Sequence, residues 1–113
     1  MLSIKIKVIK NYTSAYPNPI KVKLNEMVEI KEKETDWEGW LWCKNKNDIE
    51  GWVPEKIIKR EGNIGKVLRD YEATELTVAA GEELMFLEEE SGWLFCKNSQ
   101  NQKGWVPAEN TDY

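Results

Sequence analysis

GWLWCKN, Gly39 to Asn45, and GWLFCKN, Gly92 to Asn98, are almost the same aromatic heptapeptide, differing only at Trp42 and Phe95. Trp40 and Trp93 stand 53 residues apart, and GWVP recurs at Gly51 and Gly104 with the same spacing of 53. A fixed offset shared by two separate motifs marks a tandem repeat. Upstream, KVIKNY (Lys7 to Tyr12) matches KVLRDY (Lys66 to Tyr71) at an offset of 59. Setting Asn25 against Gly81 aligns Glu26 with Glu82, Val28 with Leu84 and Ile30 with Phe86 at an offset of 56. The first copy thus carries three extra residues between Tyr12 and Asn25 and three more before Trp40, and length differences of this kind belong in loops.

The repeat divides the 113 residues into two units of about 55 residues, a size at which domains fold alone with modest stability. The division expected from it is 1–61 and 62–113. Arg60 to Gly65, between the copies, reads as a connection too short to be a loose tether. No long apolar run is present, so neither a membrane span nor a secretory signal is expected, and the chain reads as cytoplasmic. Histidine is absent, which removes the commonest general base and a principal zinc ligand together. No enzyme activity, metal or cofactor is expected.

Strand-period alternation runs through both copies, with Ile20, Val22 and Leu24, then Val28 and Ile30, then Leu41 and Cys43, and turn residues between them. The expected cores are Val8, Ile20, Val22, Val28, Ile30, Cys43, Val53 and Ile58 in the first copy. In the second they are Val67, Leu76, Val78, Leu84, Phe86, Cys96 and Val106. The polar stretches Lys44 to Gly51 and Lys97 to Gly104 read as hairpin loops. Cys43 and Cys96 occupy equivalent positions and read as reduced, buried thiols in separate cores. The net charge of −4 conceals an asymmetry, because residues 1–61 carry twelve Lys or Arg against ten Asp or Glu, and residues 62–113 carry four against ten. An acidic second copy disfavours nucleic acid as a partner.

The ordered set of signals is specific where its members singly are not. A hydrophobic-Asp-Tyr opening, Glu-Leu-Thr-Val, Gly-Glu-Glu-Leu, a Gly-Trp strand and Gly-Trp-Val-Pro together resemble the SH3 domain, of the variant kind frequent in bacteria. The second copy carries the pattern almost throughout and the first less closely. The resemblance implies an all-β fold of two small SH3-like five-stranded barrels in tandem. It also implies a peptide ligand, usually proline-rich, lying in a polyproline II conformation across a groove of aromatic rings. Carried over by position, the second groove consists of Tyr71, Trp93, Trp105 and Pro107 with Glu75 as the acid of the long first loop. Glu88 to Glu90 would line the next loop. The first groove consists of Tyr12, Trp40, Trp52 and Pro54. The sequence departs from the family where Arg69 and Lys10 replace one groove tyrosine, Asn110 and Ile57 replace another, and Pro19 stands in place of the acid.

The function expected from this pattern is that of a noncatalytic adaptor. It would recognise an extended proline-rich or basic peptide, or a folded protein, mainly through the second copy. Trp42 and Phe95, aromatic where the family is usually polar, support an alternative structural role in which aromatic faces pack on each other or on another chain. Both a single chain and an oligomer are compatible with that alternative.

Overall fold

The computed structural model describes residues 4–15, 18–33 and 38–113; the three-residue length difference before Trp40 lies largely outside them. The secondary structure is almost entirely β. Strands β1 (Ile4–Lys7), β2 (Lys21–Val22), β3 (Met27–Lys31), β4 (Trp40–Lys44), β5 (Glu50–Pro54) and β6 (Ile58–Glu61) come from the first copy. Strands β7 (Ile64–Val67), β8 (Tyr71–Glu72), β9 (Glu83–Glu90), β10 (Trp93–Lys97) and β11 (Lys103–Pro107) come from the second. One short 3-10 turn follows each GWVP, at Glu55–Ile57 and Ala108–Asn110. The sheets of the two SH3-like units are open rather than closed into barrels, with strand orders β1-β9-β10-β11, β5-β4-β3-β7-β6 and the short pair β2-β8.

The compact units do not coincide with the repeat copies. One, the split unit, joins Met1–Pro17 to Thr74–Tyr113; the other, the inserted unit, is the continuous stretch Asn18–Ala73. The expected division into 1–61 and 62–113 follows the repeat in sequence, whereas the packing exchanges the first strands. β1 of the first copy pairs with β9 of the second, placing Ile6 opposite Leu84. β7 of the second copy pairs with β3 of the first, placing Gly65 opposite Val28. Each unit therefore has the same order of four equivalent strands, but in the inserted unit the equivalent of the strand that opens the split unit, β7, follows the other three in sequence.

The stretch between the copies accounts for this locally. Arg60 to Gly65 is not a linker but part of a hairpin, with β6 and β7 paired from Ile58 opposite Val67 to Glu61 opposite Ile64. Gly62, at the first of the two central positions, has φ of +62°, a conformation that glycine adopts without strain. So tight a turn lays the second copy's first strand against the first copy's last one. Loop closure over two residues is far less demanding than recruiting Ile4–Lys7 across the length of the first copy.

The cores follow the exchange. The split unit buries Ile6, Val8, Leu76, Val78, Leu84, Leu94, Cys96 and Val106 together, with Tyr12 and Phe86 packed against them. Val8 thus serves the core opposite to the one its own copy supplies. The inserted unit buries Ile20, Val22, Val28, Ile30, Cys43, Val53, Ile57, Ile58, Val67 and Tyr71. Leu84 and Val28 are only 1% and 2% exposed, so the strand register read from sequence holds. Phe86 is half-buried rather than a core residue and stacks on Tyr113 with ring centroids 5.0 Å apart. Leu94, fully buried, completes that core. The charge asymmetry of the copies shrinks on exchange: the split unit carries five Lys or Arg against eight Asp or Glu, and the inserted unit eleven against twelve.

Candidate functional site

Each GWVP motif begins with a glycine because another chain segment crosses its strand closely. A Cβ at Gly51 would lie 2.6 Å from Ile20 Cγ2, and one at Gly104 would lie 2.9 Å from Leu76 Cγ and 3.0 Å from the Thr74 carbonyl. The crossing segments are the second halves of the long first loops. Their close approach sets Pro19 and Glu75, one residue before Ile20 and Leu76, beside the aromatic strands.

In the split unit β10 and β11 pair Trp93 with Pro107 and Phe95 with Trp105. The tyrosine that meets Trp93 is Tyr12, edge-on at 80° with ring centroids 5.8 Å apart. Its hydroxyl donates to Glu75 Oε1 at 2.8 Å, and the Ala15 N–H donates to the same oxygen at 2.9 Å. Thr77 Oγ1 accepts from the Ser14 N–H at 3.0 Å, so the two halves of this loop are tied together although about 60 residues separate them in sequence. The groove expected of Tyr71, Glu75, Trp93, Trp105 and Pro107 is thus gathered differently. Glu75, Trp93 and Pro107 are together, Tyr12 stands in place of Tyr71, and Tyr71 belongs to the inserted unit.

Trp105 does not line an open surface. It is 4% exposed, packs on Phe95 with centroids 5.0 Å apart, and bridges to Glu75 through the backbone. Nor do Glu88 to Glu90 form a loop. They are the end of β9, opposite Phe95, Leu94 and Trp93. Glu90 is buried and its Oε2 accepts from the Ser91 hydroxyl at 3.0 Å, while Glu89 accepts from the Tyr113 hydroxyl at 3.0 Å. The hydrogen bond to the Glu89 carboxylate, more than any other contact, raises the pKa of Tyr113 above the usual phenol range.

Where the family has its late groove tyrosine, Asn110 is buried and acts on the first segment. Its Nδ2 donates to the Asn11 carbonyl at 3.1 Å and to the Lys10 carbonyl at 3.4 Å, and its own carbonyl accepts from the Ile9 N–H at 2.8 Å. A lost ring has become a clamp on the segment that delivers Tyr12. Nothing in the sequence pattern signals this, because asparagine at a turn is unremarkable by itself.

The inserted unit contains Tyr71, Trp40, Trp52 and Pro54. Trp40 pairs with Pro54, and Tyr71, 9% exposed, pairs with Val22 across β8 and β2. Tyr12, expected beside Trp40, is in the split unit. Ile57, at the position equivalent to Asn110, is a core side chain. Trp42 and Trp52 meet edge-on with centroids 4.9 Å apart, Lys33 Nζ lies 3.5 Å above the Trp42 ring, and Trp42 Nε1 donates to Glu50 Oε1 at 2.7 Å. That last bond, more than any other contact, holds the Glu50 carboxyl below its usual range. A shallow depression lined by Met27, Glu29, Lys44, Lys46 and Ile64 lies in the same unit and contains none of the expected groove residues.

Cys43 and Cys96 are free, fully buried thiols, one in each unit, and burial pushes them up to about 12 and about 11. Among the described residues no three His, Cys, Asp or Glu side chains are grouped to hold a metal ion. No helix among them is long and apolar enough to cross a membrane.

Comparison with known proteins follows the repeat copies. Residues 5–60 match the variant SH3 domain family and residues 66–108 match the SH3 domain family. A myosin-1 of Aspergillus terreus is 34% identical over 56 residues, a match covering 49% of this chain and 4% of that protein. No solved structure gives a significant match.

Proposed function

The chain belongs to the SH3 family in both of its repeat copies, and from that membership we propose a noncatalytic protein-interaction module whose working groove is in the split unit. SH3 domains generally mediate protein–protein contacts, and flat rings beside an acid suit an extended proline-rich or basic peptide. The observation that carries the reading is the edge-on pair Tyr12–Trp93 with Glu75 bonded to the tyrosine hydroxyl. That pair and Pro107 supply apolar walls for pyrrolidine rings, and Glu75 Oε2 is left to meet a ligand Arg or Lys. The inserted unit has Trp40 and Pro54 but Pro19 in place of the acid, which makes it the weaker binder. Trp52 and Trp105 support these walls rather than form them. We place the protein in the cytoplasm, where free thiols such as Cys43 and Cys96 stay reduced.

Trp93→Ala in the intact chain is expected to cost about 2 kcal/mol or more of binding to a proline-rich decapeptide bearing one arginine, as loss of a central interface tryptophan does. Trp40→Ala should leave most of the affinity. Calorimetric titration of both variants checks this, and an unaffected Trp93→Ala would exclude the groove. Binding driven by aromatic burial should weaken only modestly with added salt, in contrast to the steep loss that phosphate recognition shows.

A further inference from the structure

The two stretches of the split unit meet along a short ladder that carries the groove. Tyr12 and Val78 exchange both backbone hydrogen bonds, at 2.9 and 2.8 Å, and the Ala15 N–H reaches Glu75 Oε1 at 2.9 Å. One residue before Glu75, the Thr74 carbonyl accepts from the Trp105 N–H at 2.8 Å. The first segment, with Ile6 and Val8, is connected along the chain to the rest of its unit only through the loop that these contacts close. Ala15 and Glu75 are 60 residues apart in sequence. A loop of that length, were it unstructured, would weigh against the ladder, because the entropy of closure grows with the number of residues enclosed.

The enclosed residues are folded, and their ends are fixed to each other. In the inserted unit the Ala73 N–H donates to the Ile20 carbonyl at 2.9 Å, and β2 and β8 pair Lys21 with Glu72 and Val22 with Tyr71. This second ladder is anchored in its own core. Ile20, Val22 and Tyr71 are buried, and the buried Asn45 side chain donates to the Lys21 carbonyl at 3.0 Å. Thr74 follows Ala73 directly, and only four residues stand between Ala15 and Ile20. With the inserted unit folded, the chain left to be closed thus shrinks from about 60 residues to about seven.

We propose that the inserted unit is the closing device of the groove in the split unit. By holding Ile20 and Ala73 together it positions Tyr12 and Glu75, so the folding of one unit is coupled to ligand binding by the other. Three halvings of the loop, at roughly a factor of 2.7 each, favour the closed ladder about 20-fold. The coupling is reciprocal, because a ligand that stabilises the first ladder also holds the ends of the second. The ligand's part in this rests on the groove reading above; the closure does not.

The test uses the intact chain with Cys43→Ala, which leaves Cys96 as its one native thiol. Val28→Asp with Val53→Asp puts two charges at core positions of the inserted unit that are 2% and 0% exposed, and unfolds it. Lys21→Cys with Glu72→Cys then lets a disulfide close the ends of that unfolded stretch, or reduction release them, in one and the same protein. Native-state hydrogen exchange reads the Tyr12 and Val78 amides. Their protection should be about 20-fold lower, or lost, in the reduced form, and should return on oxidation towards that of the chain with its core intact. Equal protection in the two forms overturns the proposal, and so does a loss that the disulfide fails to restore. Decapeptide binding should weaken and recover with the same disulfide. Protection that follows the disulfide while no form binds the decapeptide would leave the closure standing and refute the groove reading alone.

Discussion

The split unit and the inserted unit share strand order, register and a buried cysteine at the same place, but one is assembled from two distant stretches and the other from a single stretch. The inserted unit closes through a two-residue hairpin, so its first-strand equivalent is delivered locally. The split unit must recruit Ile4–Lys7 across the whole inserted unit, and it holds that segment with a denser set of polar ties. Asn110 clamps the Lys10 and Asn11 carbonyls, Asp112 accepts from the Lys7 N–H at 2.8 Å, and Asn11 accepts from the Ala80 N–H at 2.7 Å. The lesson is that two copies of one sequence pattern fold around different connections when a short turn is available to one of them.

The sharpest way to break the comparison is to cut the chain. The stretch 18–73 contains every strand and core residue of its unit and should fold alone with cooperative unfolding. The stretch 62–113, a full repeat copy, can offer Val67 in place of Val8 but only Gly65 in place of Ile6, and should not fold cooperatively. Losing the buried Ile6 side chain removes about 1.5–3 kcal/mol, a large share of the stability of so small a unit. Circular dichroism and amide dispersion of the two fragments decide it; a folded 62–113 would mean that the exchange is dispensable.

The close crossings allow a finer comparison. Gly104→Ala forces a methyl against a backbone carbonyl as well as Leu76, whereas Gly51→Ala meets side-chain atoms of Ile20 first. Both should destabilise by about 1–3 kcal/mol, Gly104→Ala at the upper end because backbone yields less than a side chain. Urea unfolding of each variant measures the difference.

The thiols give a pH signature. Folding raises both above the ordinary cysteine value of 9.0, so above that pH the unfolded chain loses these protons first and stability falls. The slope is about 1.4 kcal/mol per pH unit for each thiol. It should be shared up to about pH 11, the limit for Cys96, and continue in the inserted unit to about 12, the limit for Cys43. Cys43→Ala and Cys96→Ala variants, unfolded in urea between pH 8 and pH 11 (roughly the range spanned by these ionisations), should each flatten the slope of one unit only.

The smallest effect expected is that of Tyr12→Phe. It removes one hydrogen bond to Glu75 but leaves the ring on Trp93 and the Ala15 N–H on the carboxylate. A loss of about 1 kcal/mol in the stability of the split unit is expected. Tyr71→Phe should leave that unit unchanged, and an equal response to both would contradict the exchange.

The sequence by itself determined the repeat, the β class, the family and the alternation that buries Val28, Leu84, Cys43 and Cys96, because these depend on side chains along one strand and on spacings within one copy. The hairpin loops ending in Gly51 and Gly104 were legible for the same reason. Which copy's strand joins which sheet was not, since KVIKNY and KVLRDY offer nearly the same apolar pattern to either partner. Tertiary structure decided it, with the two-residue turn at Gly62 laying β7 on β6, a pairing between strands of different copies. With it came the composition of the groove. Tyr12 rather than Tyr71 meets Trp93, Glu88 to Glu90 continue a strand instead of lining a loop, and Asn110 holds the first segment. Each of these is a property of a pairing, and pairing energies between distant segments are not written in the pattern of either segment alone.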